Sequence, residues 1–127
     1  MNKLTAYNLS LLFGVVFIAV GVLGFIPNPI VSPIGFFMVN TAHNIVHLLT
    51  GALILSGPFV FKGKESIIMM VAGVLYGVVA LLGLFGGGDM LLGMVMVNPA
   101  DNALHVVLSA ALILAGFLTL RRMPSAP

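Results

Sequence analysis

Val39-Asn40-Thr41-Ala42-His43-Asn44-Ile45-Val46-His47 decides how this chain is read, because an edited copy follows 58 residues later as Val97-Asn98-Pro99-Ala100-Asp101-Asn102-Ala103-Leu104-His105. Val, Asn, Ala, Asn and His stand at matching places in the two copies. Each copy opens a long apolar run and gathers several of the chain's few strongly polar residues. On a helix, residues three and four apart are neighbours, so Asn40, His43, Asn44 and His47 form one stripe. Asn98, Asp101, Asn102 and His105 repeat that stripe.

The likeness spreads outward from the motif. Gly14, Phe17, Leu23 and Gly24 fall on Gly73, Tyr76, Leu82 and Gly83 at an offset of 59. Gly35 to Asn40 matches Gly93 to Asn98, and Ala52 to Gly57 matches Ala111 to Gly116, the latter again at 59. The repeating unit is therefore helix, apolar re-entering loop, motif, helix. It is used twice within a single domain, at about residues 7–61 and 65–121, with a tail at 122–127.

Composition fixes the solvent. Of 127 residues, 61% are hydrophobic and 6% charged, and mean hydropathy is +1.23. A soluble domain carries roughly a quarter of its residues as charges, so most of this surface is not built for water. Four runs approach the roughly 20 apolar residues that span a bilayer as a helix. The fold class expected is all-α: a polytopic membrane protein with four transmembrane helices built from a tandem 2+2 parallel repeat. The helices are placed at Tyr7–Ile26, from Asn40 as N-cap to Gly57-Pro58 or Phe61, at Glu65–Phe85, and from Asn98 as N-cap to Arg121-Arg122. The run from Leu9 to Ile26 is long for a signal peptide and has no small-residue cleavage site, so it is read as the first span. Two spans per unit give both copies one orientation, related by a pseudo-twofold axis along the membrane normal.

All five basic residues, Lys3, Lys62, Lys64, Arg121 and Arg122, fall on one side of that topology. The positive-inside rule makes that side, with both termini, cytoplasmic and turns both motifs outward. Small residues (Gly14 and Gly21 on the first helix, Gly73, Gly77 and Ala80 on the third) offer surfaces for close helix contact. Without cysteine there are no disulfides and no thiolate metal sites. Five scattered cations make no nucleic-acid patch. No nucleophile–base–orienter arrangement stands out, and an enzyme is not expected.

Three readings fit the polar stripes. In the first, the histidines with Asn40, Asn44, Asn98 and Asn102 satisfy one another in a structural polar network between the second and fourth helices. In the second, His43 and His47, at i and i+4, join Asp101 and His105 around a metal ion, since imidazole and carboxylate suit zinc, copper or iron. His47 and His105 at matched depth would alternatively bind a haem or a chlorophyll-type pigment. In the third, an oligomer carries protons or small solutes past the cluster. Met38, Met90, Met94 and Met96 lie near both motifs and are read as apolar filler rather than soft copper ligands.

The paired motifs Asn40-x-x-His43-Asn44-x-x-His47-Leu48-Leu49-Thr50-Gly51 and Val97-Asn98-Pro99-Ala100-Asp101-Asn102-x-x-His105 resemble a bacterial family of small four-helix membrane proteins, family 4383 of the domains of unknown function. The resemblance covers nearly the whole chain and implies a multi-pass protein of the bacterial inner membrane, with no settled activity. Ser109-Ala110 departs from Thr50-Gly51 of the first copy, which puts equal helix packing in the two halves in question. Together these observations favour an accessory or scaffold component of a larger membrane assembly. Its expected partners are membrane lipid and other membrane proteins or a second copy of itself. Metal, haem or pigment binding is the alternative, and transport comes third.

Overall fold

The computed structural model describes residues 5–121; Lys3, Arg122 and the 122–127 tail lie outside the described residues. Four helices dominate: α1 (Ala6–Leu23), α2 (Thr41–Phe59), α3 (Glu65–Phe85) and α4 (Pro99–Leu120). The loop after α1 holds two short bridges, β1 (Val31–Ser32) and β2 (Phe37–Met38), paired in parallel. The loop after α3 holds β3 (Met90–Leu91) and β4 (Val95–Met96), paired antiparallel. Helix α1 lies chiefly on α2 and α3 chiefly on α4, while α2–α3 contact joins the pairs.

The surface is inverted relative to a water-soluble bundle. Ser10, His43, Asn44, His47, Ser66, Asn102, His105 and Ser109 are buried, while Leu12, Val15, Leu49, Val74, Leu81, Val107 and Leu114 are exposed. In water the hydrophobic effect drives the opposite arrangement; in lipid the polar groups must be satisfied internally. Helices α1, α3 and α4 are each long and apolar enough to cross a membrane. Helix α2 does not reach that threshold, because His43, Asn44 and His47 crowd its first two turns. The fold is thus an all-helical membrane fold.

Helix ends follow local chemistry. Helix α1 stops at Leu23, short of Ile26, because the Asn28 amide donates to the Leu23 carbonyl at 3.0 Å and to the Ile26 carbonyl at 2.6 Å. The Asn28 Oδ1 also accepts from Ile30 and Val31, so this one residue between two prolines folds the loop. Pro58 lies inside the last turn of α2 rather than ending it. A proline there deprives the carbonyl four residues earlier of its donor, and that carbonyl, Ile54, accepts instead from Ser10 Oγ on α1 at 2.8 Å. Ser10→Ala is expected to cost about 1–3 kcal/mol, the penalty for a buried unsatisfied carbonyl. The midpoint of thermal unfolding in detergent checks it, and an unchanged midpoint contradicts the compensation.

Packing registers refine the sequence alignment. Ile54 and Leu112, each at 0% exposure, sit 58 apart rather than 59. Gly51 lies against the Gly14 backbone, and Ser109, 58 residues later, donates to the Gly73 carbonyl at 2.8 Å. Ser109 therefore occupies the place of Gly51 and adds a hydrogen bond across the α3–α4 contact. The offset of 59 returns at the buried pair Gly57 and Gly116.

Candidate metal centre

The site is built from the helix starts downward. Asn40 caps α2: its Oδ1 accepts from the His43 N–H at 3.0 Å. Its amide then crosses to the other loop, donating to the Met94 carbonyl at 2.8 Å, while Oδ1 also takes the Met96 N–H at 3.3 Å. Asn98 does the reciprocal. It accepts from the Asp101 N–H at 2.9 Å and donates to the Phe36 carbonyl in the first loop at 2.8 Å. Each motif thus pins the loop of the other half over the bundle's end. Losing such a cap alone costs about 0.5–2 kcal/mol, so Asn98→Ala is expected near the top of that range, because the loop bond goes with it. Thermal unfolding checks this; a loss below half a kilocalorie would mean that the crossed bond carries nothing.

One turn further down, Asn44 and Asn102 press their carboxamides against Gly24 and Gly83, in the space a Cβ would fill. The Asn102 amide donates to the Gly83 carbonyl at 3.1 Å. The Oδ1 of each asparagine is buried without a partner.

Below them the three histidines converge. One ring nitrogen from each of His43, His47 and His105 lies within 4.8 Å of the other two, and all three residues are buried. His43 and His47 rings meet edge-on at 4.6 Å between centroids, His43 and His105 at 5.5 Å, and His47 and His105 at 6.5 Å. Phe17 packs edge-on against His47 and Tyr76 against His105, and the two aromatic rings meet at 5.1 Å. This gives the imidazoles an apolar floor that fixes their rotamers.

Hydrogen bonding distinguishes the rings. The His43 Nδ1 is 2.6 Å from the Met96 carbonyl. A carbonyl only accepts, so Nδ1 carries the proton and Nε2 keeps its lone pair, the second-shell arrangement common for metal-binding imidazole. The Nδ1 atoms of His47 and His105 are buried with no partner. Leaving a buried polar atom unmet costs about 1–3 kcal/mol, so a purely structural network leaves the inner histidines unexplained. An ion at about 2.0–2.1 Å from each imidazole would hold the nitrogens roughly 3.4 Å apart. The nitrogens here lie within 4.8 Å of one another.

Of the residues expected around a metal, the structure brings together His43, His47 and His105. Asp101 is used elsewhere: its Oδ2 accepts from the Asn98 N–H at 2.9 Å, completing a capping box, and it faces the Met38 N–H. The four asparagines all surround the centre, Asn40 and Asn98 as caps and Asn44 and Asn102 against glycines. The cavity beside His43 and His105, which His47 does not line, is smaller than a haem or chlorophyll needs. The cavity bordering His43 and His105 measures about 100 Å³, well below the roughly 300 Å³ at which pockets for larger organic ligands begin. The Met96 carbonyl that meets His43 is a backbone group and has no residue signature in the sequence. Sequence reasoning missed the glycine seats, although Gly24 and Gly83 had already emerged as matched positions.

The family described as Domain of unknown function (DUF4383) matches residues 8–118. No curated protein and no solved structure matches the chain.

Proposed function

Because this chain belongs to the DUF4383 family, a domain of unknown function, we propose its role from its own residues: it is a membrane-embedded module that holds a divalent transition-metal ion on His43, His47 and His105. The observation that carries this reading is the convergence of three buried imidazoles, two of which have an Nδ1 with no partner among the described residues. Neutral imidazole suits zinc, copper, iron or nickel ions. Around that centre we read four spans arranged as two parallel helix pairs, with the positive-inside rule placing the linker residues Lys62 and Lys64 in the cytoplasm and the centre toward the outer face of a bacterial inner membrane. Its apolar exterior supports an accessory place in a larger membrane assembly rather than catalysis by this chain alone.

The test is elemental analysis of protein extracted gently from its native membrane, with the sulfur of its 8 methionines as internal count. The expected result is about one zinc, copper, iron or nickel ion per chain, one for each converged three-imidazole set. A metal-free preparation that also takes up none of these ions on titration would rule the reading out and return the histidines to a structural role.

A further inference from the structure

We propose that the ion on His43, His47 and His105 is iron(II), which can share d electrons with a diatomic, and that it accepts a small, neutral, apolar ligand of the dioxygen or nitric oxide class, delivered from the bilayer through a cleft between α2, α3 and the β3–β4 loop. This rests on the metal reading above. A three-histidine set leaves a zinc-like ion one open position, and the cavity bordering His43 and His105 determines what can reach it. Its other walls are aliphatic, among them Val46, Val79 and Leu92, with Tyr76 the one further polar side chain.

Exposure gives the cleft a direction. Leu92 is 79% exposed and Leu82 is also exposed, while His43, His105 and Tyr76 are buried. The passage therefore runs from the apolar outer surface at Leu82 and Leu92 to the two histidines. Its volume of about 100 Å³ is smaller than the roughly 150 Å³ engineered cavity that admits benzene or xenon, so only a few heavy atoms fit. No charged side chain lines it, and an ion entering would lose its hydration without compensation. Anions and organic substrates are excluded by the same walls that admit a neutral diatomic dissolved in hydrocarbon.

The outer wall supplies a second, independent observation. Leu92 holds φ at 51°, the sole non-glycine with positive φ among the described residues. That conformation costs an L-residue about 1–2 kcal/mol, and such strain concentrates at ligand clamps and switch regions. A glycine would relieve it and, with the side chain gone, widen the mouth.

The experiment uses the full chain in phosphatidylcholine vesicles, loaded anaerobically with Fe(II) and titrated with nitric oxide. Electron paramagnetic resonance reads the half-integer-spin iron–nitrosyl signal. About one nitric oxide per bound iron is expected, with the nitrosyl signal undiminished when azide is present at equal concentration. Val79→Phe, and Val46→Phe as a second obstruction on another helix, should bind iron as the wild type does but nitric oxide about tenfold more weakly or worse, a difference of about 1.4 kcal/mol. Azide binding as readily as nitric oxide would overturn the inference, as would unchanged nitric oxide affinity in both iron-loaded variants. Failure of the wild type to bind iron, zinc or copper would instead remove the metal site beneath it. Iron-loaded wild type that gives no nitrosyl signal overturns the inference and leaves the metal site standing, which separates the two failures.

Discussion

His47→Gln and His105→Gln are each expected to abolish stoichiometric metal binding, whereas Asp101→Asn leaves it in place. Glutamine keeps much of the side-chain volume and some hydrogen-bonding capacity but removes the imidazole. The loss should exceed the roughly 100-fold that removal of a supporting second-shell group costs a metal site. Asp101 is committed to the capping box at the start of α4, so its amide variant should show up in stability alone, within the 0.5–2 kcal/mol or so that a cap supplies. Two readouts on each variant separate these outcomes: metal per chain, and thermal unfolding with and without chelator. The wild type, at free metal about a hundredfold above Kd, gains some 2.7 kcal/mol from the ion, and chelation should erase this gain. The glutamine variants should be indifferent to chelator. Acid should act like chelator on the wild type, because protons compete with the ion for imidazole nitrogens and binding therefore weakens as pH falls. Loss of the ion in Asp101→Asn would make the carboxylate a ligand and refute the assignment of Asp101 to the cap alone.

Much of this was legible in the sequence, for identifiable reasons. The helices were visible because their ends are written in side-chain chemistry: Asn40 and Asn98 cap as expected, and Glu65–Phe85 is found at the bounds read from composition. The three clustered histidines were legible because intramembrane polar residues are costly and therefore few. Asp101 carries two readings for a physical reason. A carboxylate three residues after an N-cap asparagine satisfies both the i, i+4 spacing of a ligand pair with His105 and the geometry of a capping box, and sequence spacing alone does not choose between them. The crossed loop bonds from Asn40 to Met94 and from Asn98 to Phe36 end on backbone carbonyls, which have no residue signature. Likewise, Ser10 could be matched to Pro58 only once α1 and α2 were in contact, since the pair is linked through the Ile54 carbonyl.

The second large effect expected concerns the seats of the two buried asparagines, and it isolates sterics from backbone preference. Gly24 has φ −62° and ψ −18°, an ordinary right-handed conformation in which alanine loses nothing and gains from a less flexible unfolded chain, ordinarily about 0.4–1 kcal/mol of stability. Yet a Cβ on Gly24 would overlap the Asn44 carboxamide. Asn44 is 2% exposed and its own backbone carbonyl lies against Gly21, so the carboxamide leaves the glycine only by turning toward the cavity that it lines together with Gly24. Gly24→Ala should therefore destabilise by about 1–3 kcal/mol, the usual cost of overpacking a well-filled interior, with the opposite sign to its backbone effect. Adding Asn44→Ala removes the obstacle and should restore much of the loss, giving a coupling of about 1–2 kcal/mol in a double-mutant cycle. Gly83→Ala with Asn102→Ala should behave alike but recover less, because the Asn102 amide donates to the Gly83 carbonyl and that bond disappears with the side chain. A neutral or stabilising Gly24→Ala would mean that Asn44 rotates freely. The wall above the three histidines would then be soft, and the rigid placement of His47 one turn below could not be ascribed to it.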